Sequence, residues 1–272
     1  MIFQRLNLSG VLAVIFGLAV LLFLMLPLGA ILVLGLTYIF GIVLVADLGQ
    51  VIAALGQEGS IGPALLATPL VAICVAVLAS LWGFALAQLW RHWLAHGRKA
   101  FVLLSALPLI LPRFGLGALF LLSALQLAQW GGNILGLGLV VLAQAAAATP
   151  LVAGIHYLGW RRIDPGLRKA ALESGANEDF VFRGLTLPVL RPHLILAALL
   201  AFLLSFGDFY LGNALAGDAS LLPSVLFSGV ARNASPLYQA LVAVVLIAEL
   251  ICVVILARCL RALPPFSRVT AP

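Results

Sequence analysis

A chain of 272 residues that is 64% hydrophobic and only 9% charged carries more apolar surface than a water-soluble domain buries, since about a quarter of residues in such domains are charged. Its apolar residues run in long unbroken stretches rather than alternating, the pattern of membrane-spanning helices and not of barrel strands. The net charge of +6 raises a nucleic-acid reading that the placement of the charges removes.

Taken in chain order, the sequence predicts an all-α, polytopic bundle of six spans, since each crossing needs roughly 20 apolar residues. The first covers about 11–36, and its apolar character continues to Ala46; either Pro27 kinks it or residues 37–46 lie along the interface. That run is too long for a cleavable signal peptide, whose apolar core is about 7–15 residues. The second span covers 64–89 and the third 101–123, with Arg113 inside it. The fourth, 136–158, holds Gln144, Thr149 and the run Ala145 to Ala148, small and amide-bearing residues suited to close helix packing. His156, near the inner end of that span, is expected at the interface. The fifth covers 193–212 and includes Asp208, and the sixth covers 236–258 and includes Glu249. The outer loops 47–63, 124–135 and 213–235 are too short for a separate domain, so one transmembrane domain is expected over 1–272. Cys74, Cys252 and Cys259 are too scattered for a disulfide framework or a metal site.

Six spans place both termini on one side. The segments 1–10, 90–100, 159–192 and 258–272 hold all but two of the 15 basic residues, the exceptions being Arg113 and Arg232. By the positive-inside rule these segments are cytoplasmic. The basic excess is a topology signal, and no nucleic-acid partner is implied. Two spans within 11–46 would turn the N-terminus outward, against Arg5 alone.

The longest polar stretch, "GWRRIDPGLRKAALESGANEDFVFRGLTLPVLRP", lies between spans four and five. Asp164 predicts an N-cap, with Pro165 at the first helical position. A helix continues from Leu167 to Ser174, where Gly175 suits the left-handed residue that ends it. Asn177 caps a second short helix, with Glu178 and Asp179 in its first turn. Pro188 and Pro192 are expected to limit that helix before span five begins. Composition alone leaves an ordinary amphipathic linker open here.

The spacing is more specific. Lys169-Ala170-Ala171, three residues, Gly175, nine residues, then Leu185-Thr186-Leu187-Pro188 resembles the cytoplasmic signature of ABC-importer permeases: EAA, three residues, G, nine residues, I-x-LP. Lys169 stands where that pattern has glutamate and Leu185 where it has isoleucine. "LPLILPRFGLGALFL" (107–121), "SFGDFYLGNALAG" (205–217) and "LLPSVLFSGVARNASPLYQAL" (221–241) resemble the polyamine branch of that family, which also includes carriers of ferric iron, thiamine, sulfate and phosphonates. The likeness covers about 64–260.

The resemblance implies a type I ABC importer permease in the bacterial inner membrane. The loop 159–192 would be a coupling helix docked on a cytoplasmic ATPase pair. Other expected partners are a second permease subunit, identical or distinct, an external solute-binding protein and the surrounding lipid bilayer. Ala170 and Ala171 would permit close approach, Gly175 would make the turn, and Leu185, Leu187 and Pro188 would join the loop to span five. At Lys169 the charge is reversed, with Glu173 or Glu178 as compensating groups. The chain has no G-x-x-x-x-G-K-[ST] phosphate loop, so it is not expected to be an enzyme or to hold a cofactor; ATP and magnesium would sit on the partner.

Arg113, Asp208 and Glu249 fall within spans, where a charge costs on the order of 2.5–3.5 kcal/mol and faces a pore or a partner. Either Arg113 pairs with one of the acids as structural glue, or these groups line the translocation path with Tyr210 and Asn213. One unpaired acid would favour a cationic solute; an unpaired Arg113 would favour an anion. The rival function is an ion-gradient-driven secondary transporter using Asp208 and Glu249, which leaves the loop spacing unexplained.

Overall fold

The computed structural model describes residues 29, 33, 36–37, 59–131, 135–233 and 236–262. The first expected span and its extension lie almost wholly outside these residues. Among the described residues every regular element is helical. Contacts divide the chain into two compact units, Glu58–Val225 with Glu249–Pro272, and Met1–Gln57 with Leu226–Ala248.

Helix α1, Ile61–Ala95, carries a buried stripe through Ala64, Thr68, Ala72, Val75, Ala79, Gly83, Ala87 and Trp90. The opposite side exposes Leu66, Leu70, Ile73, Val77 and Leu81. A helix apolar on both faces is stable only where its outer face meets lipid. It runs past the expected end at 89 because residues 90–96 contain neither glycine nor proline; the left-handed Gly97, φ +71°, follows its end.

The third span is not one helix. It divides into α2, Lys99–Ser105, α3, Leu107–Ile110, and α4, Arg113–Gly131. Leu111 is extended, with φ −65° and ψ 136°, because the ring of Pro112 disfavours helical geometry in the residue before it. Arg113, expected inside a span, is therefore the first residue of a new helix.

Helix α5, Leu137–Trp160, follows the fourth span closely. After α6, Pro165–Glu173, and α7, Glu178–Val181, a π turn over Phe182–Thr186 leads into α8, Leu187–Phe206. Here the expected break between the loop and span five does not occur: Glu178–Phe206 is one continuous helix of 29 residues. Pro188 directly follows the π turn, in which Leu187 N–H bonds the Phe182 carbonyl five residues back, and this wider turn is where a proline, lacking an N–H, is accommodated without ending the helix. Span five instead ends early, at Gly207, and a short α9, Phe209–Leu215, follows. Helices α10, Leu222–Asn233, and α11, Pro236–Ala262, complete the order.

Among the described residues four helices are long and apolar enough to cross a membrane: Ile61–Ala95, Leu137–Trp160, Glu178–Phe206 and Ala240–Arg261. The chain is an all-α, multi-pass membrane protein.

In the larger unit, α1, α5 and α8 pack around small residues, among them Ala72, Ala79, Ala143, Ala147, Ala148, Ala197 and Ala201. A Cβ on Gly83 would lie 3.0 Å from Val152 Cβ and 3.1 Å from the Ala153 backbone nitrogen, so α1 and α5 touch nearly backbone to backbone there. Lipid is as apolar as these side chains, so van der Waals contact and interhelical hydrogen bonds, not hydrophobic burial, hold such helices together. Ser205 Oγ donates to Gln144 Oε1 at 2.6 Å across α8 and α5, with both residues buried. Thr149 Oγ1 donates to the Ala145 carbonyl one turn back at 2.7 Å. The packing role read for Gln144 and the alanine run is thus what the bundle uses, while the Thr149 hydroxyl bonds within its own helix. His156 is fully buried against Phe84, at 6.0 Å between ring centroids, and not at the interface; its ring is drawn inward because α1 and α5 approach so closely beside it.

Candidate functional site

Two places combine polar chemistry with a departure from regular helix: the loop at 164–188 and the break at Gly207-Asp208.

In the loop, Asp164 is extended and its Oδ1 accepts from Gly166 N–H at 2.8 Å, which caps α6 beside Pro165. The helix ends in paired bonds, Gly175 N–H to the Leu172 carbonyl at 3.0 Å and Ala176 N–H to the Ala171 carbonyl at 3.1 Å. This is the Schellman arrangement, which requires a left-handed residue, and Gly175 supplies it with φ +89°. Asn177 Oδ1 then accepts from Phe180 N–H at 2.7 Å and starts α7. The two helices are latched by Arg168, whose Nη2 reaches Glu178 Oε2 at 2.6 Å and Oε1 at 2.8 Å. Helix, left-handed turn and helix fold as the sequence predicts.

Lys169 is exposed and lies 3.7 Å from Glu173, four residues on. Of the two acids considered for it, Glu173 is the neighbour, while Glu178 belongs to Arg168. Ala170 is exposed and Ala171 half-buried, so the outer side of α6 offers a smooth surface flanked by charges.

At the break, α8 stops at Gly207 and Asp208 takes an extended conformation as the N-cap of α9. Its Oδ1 accepts from Leu211 N–H at 3.1 Å, and its Oδ2 lies 3.1 Å from Arg113 Nη1. The Asp208 side chain is 4% exposed and that of Arg113 33%. Asp208 is thus a helix cap and half of an ion pair rather than a residue inside a continuous span. The pair joins α9 to the start of α4, so the break in span three and the break in span five meet at one charge pair.

Sequence comparison places this arrangement. The chain is 31% identical over 175 residues to the molybdenum transport system permease protein ModB of Haemophilus influenzae, covering 57% of this chain and 76% of that one. The chain belongs to the permease subunits of ABC importers. The permease is also 32% identical over 180 residues to the putrescine transport system permease protein PotI of Escherichia coli K12, covering 65% of this chain and 64% of that one. The spermidine/putrescine permease protein PotC of the same strain is 26% identical over 148 residues, with 54% of this chain and 53% of that one covered. The matches to PotI and PotC therefore span less than two thirds of those relatives. No protein-family model matches the chain. Solved structures share the fold. A chain of an amino acid ABC transporter aligns with TM-score 0.55 at 16% identity over 77% of this chain and 97% of that one. A chain of the inward-facing methionine transporter MetNI aligns with TM-score 0.53 at 18% identity over 74% and 96%.

Glu249 of the permease also reaches the break. Its Oε1 lies 3.2 Å from the position a Cβ on Gly207 would take, so the missing side chain at Gly207 lets the carboxylate approach the backbone closely. No hydrogen-bond or ion-pair partner for Glu249 occurs among the described residues. Tyr210 and Asn213 are exposed and, three residues apart on α9, share a face. The Tyr210 backbone N–H also bonds the Asp208 carboxylate, while neither the Tyr210 nor the Asn213 side chain bonds the pair among the described residues.

Gly207 is the residue that sequence reasoning passed over. The signal was present, since glycine followed by aspartate in an apolar run is a helix stop and then an N-cap. Ser205 was missed for a different reason: its bond to Gln144 joins residues 61 apart in sequence, and no local pattern announces it.

Proposed function

We propose that this permease forms, with a second permease subunit, the translocation path of an ATP-driven importer fed by an external solute-binding protein. The whole chain acts as one permease domain in a bacterial inner membrane, with both termini cytoplasmic. The segment 159–192 is its coupling element. Lys169, Ala170, Ala171 and Gly175 form the surface that docks on the ATPase, and Leu185, Leu187 and Pro188 carry its movement into α8. ATP binding and hydrolysis occur on that partner. A loop displaced by ATPase closure shifts the bundle between inward and outward access, since such coupling needs rigid elements with two discrete packings. The observation that carries this reading is the left-handed turn at Gly175 between two capped helices, latched by Arg168 and Glu178. A merely connecting loop does not need so fixed a shape. The uninterrupted run from α7 through α8 supports it further, because a continuous helix transmits a push.

The solute we favour is a polyamine-like cation. Arg113 and Asp208 neutralise each other, which leaves Glu249 as the acid at the break without a partner among the described residues. Tyr210 and Asn213 border the path near it. The relatives named for putrescine transport support the same class.

Gentle affinity purification from the native membrane tests the coupling role. A phosphate-loop ATPase should co-purify and should be lost when Gly175 is replaced by aspartate. Uptake by the chain alone, driven by an ion gradient, would instead identify a secondary transporter working through Asp208 and Glu249.

A further inference from the structure

We infer that the cytoplasmic end of α1 and α8 holds an anionic glycerophospholipid of the inner leaflet, its headgroup beside Arg91 and Arg168 and an acyl chain along the groove between the two helices. Two adjoining cavities carry this. One, of about 410 Å³, is lined by Arg91, Trp160, Arg168, Glu178, Phe182 and Thr186 among others. The second, of about 750 Å³, lies between α1 and α8, and among the described residues that line it all but Ser80 are apolar. Phe182 lines both, and Phe84 of the groove lies 5.9 Å from Trp160 of the polar cavity, centroid to centroid. The two spaces are therefore neighbours, polar at one end and apolar along the rest.

Charge and length select the occupant. Two guanidinium groups face one carboxylate in the polar cavity, and Glu178 is already bound by Arg168. Arg91 stacks 4.7 Å above the Trp160 ring and has no acidic partner among the described residues. It is held in place and left to meet an anion from outside. Tryptophan and arginine together mark the membrane–water boundary. From Phe84 back to Ile73 the groove follows α1 for about 16 Å at 1.5 Å per residue. That is close to half of a hydrocarbon core about 30 Å thick, the depth of one leaflet. A hydrophobic helix in the groove would match its apolar lining but would leave Arg91 unanswered. A lipid with an anionic headgroup answers both, and basic pockets beside cytoplasmic helix ends are known to take such headgroups.

The test is native mass spectrometry of the intact importer complex, released from bilayers that contain phosphatidylglycerol and phosphatidylethanolamine in equal amounts. Wild type should retain phosphatidylglycerol selectively. Arg91→Gln should lower that retention about fivefold, the effect of one interfacial cation. Arg98→Gln, an exposed charge of the same segment outside both cavities, should not. Val77→Trp, which fills the groove, should lower retention of both lipids. Equal retention of the two lipids by wild type overturns the inference, as does an Arg91→Gln result matching Arg98→Gln. Full retention by Val77→Trp, or equal competition by free glycerol phosphate, overturns the acyl-chain half. Retention by the isolated permease but not by the complex shows that a protein helix fills the groove. None of these outcomes depends on which solute is carried.

Discussion

Replacing Gly175 with alanine isolates the backbone contribution of the turn. A Cβ at this position meets no atom within 4 Å, so the substitution adds no clash, and its whole cost is the left-handed conformation at φ +89°. That cost is about 1–2 kcal/mol for a residue with a side chain. The loop is exposed and its helices are short, so the strain is relieved by opening the turn rather than by unfolding the bundle. A bias of 1–2 kcal/mol lowers the population of the docking shape by a factor of about 5–30. Asparagine tolerates the left-handed region and should recover part of the loss. Aspartate tolerates it similarly but adds a negative charge beside Glu173, Glu178 and Asp179, so its effect beyond that of asparagine measures the electrostatics of docking. The assay is solute uptake and solute-stimulated ATP hydrolysis by the complex in proteoliposomes, normalised to permease abundance. The expected order is glycine, asparagine, alanine, with uptake abolished by aspartate while the protein stays in the membrane. Wild-type uptake by the alanine variant at equal abundance would refute the argument. So would lost uptake with ATPase association and stimulated hydrolysis intact.

Other consequences follow from the same geometry. Arg113→Ala leaves the Asp208 carboxylate buried without its partner and should cost about 3–5 kcal/mol, read as lower abundance and earlier thermal aggregation in detergent; Arg113→Ala combined with Asp208→Asn should recover most of it. An additive double variant would show that the pair is not coupled. Glu249→Gln should weaken uptake of a cationic solute without loosening the ATPase, so unchanged uptake would remove Glu249 from the path. Gly83→Ala presses on Val152 and on the Ala153 backbone at the α1–α5 crossing and should destabilise by about 1–3 kcal/mol; adding Val152→Ala removes only the Cγ contact, so a melting experiment should show no more than partial recovery. Ser205→Ala removes one interhelical bond to Gln144 and should cost only about 0.6 kcal/mol.

The membrane class, the all-α character and the shape of the loop at 164–188 were determined by sequence alone, because each rests on local chemistry. Apolar length marks a span wherever it occurs, Asp164 and Asn177 cap the helices they begin, and Gly175 ends one because few other residues adopt its backbone angle. Local reasoning failed where two local rules competed. Pro188 and Pro192 read as breakers, yet Pro188 follows directly on the π turn at 182–186, Pro192 lies within α8, and the helix ran on. Pro112 and Gly207 read as features of continuous spans, yet they broke them.

Only the tertiary structure decided the pairing of charges. Arg113 and Asp208 are 95 residues apart, and the sequence left Glu249 an equal candidate for the arginine. The broken ends of two helices brought Asp208 to Arg113 and left Glu249 against Gly207. The burial of His156 and the bond between Ser205 and Gln144 were decided in the same way, by how closely alanine and glycine let three helices approach. Partner choice among buried polar groups depends on distances across the bundle, and a linear pattern of residue types does not contain them.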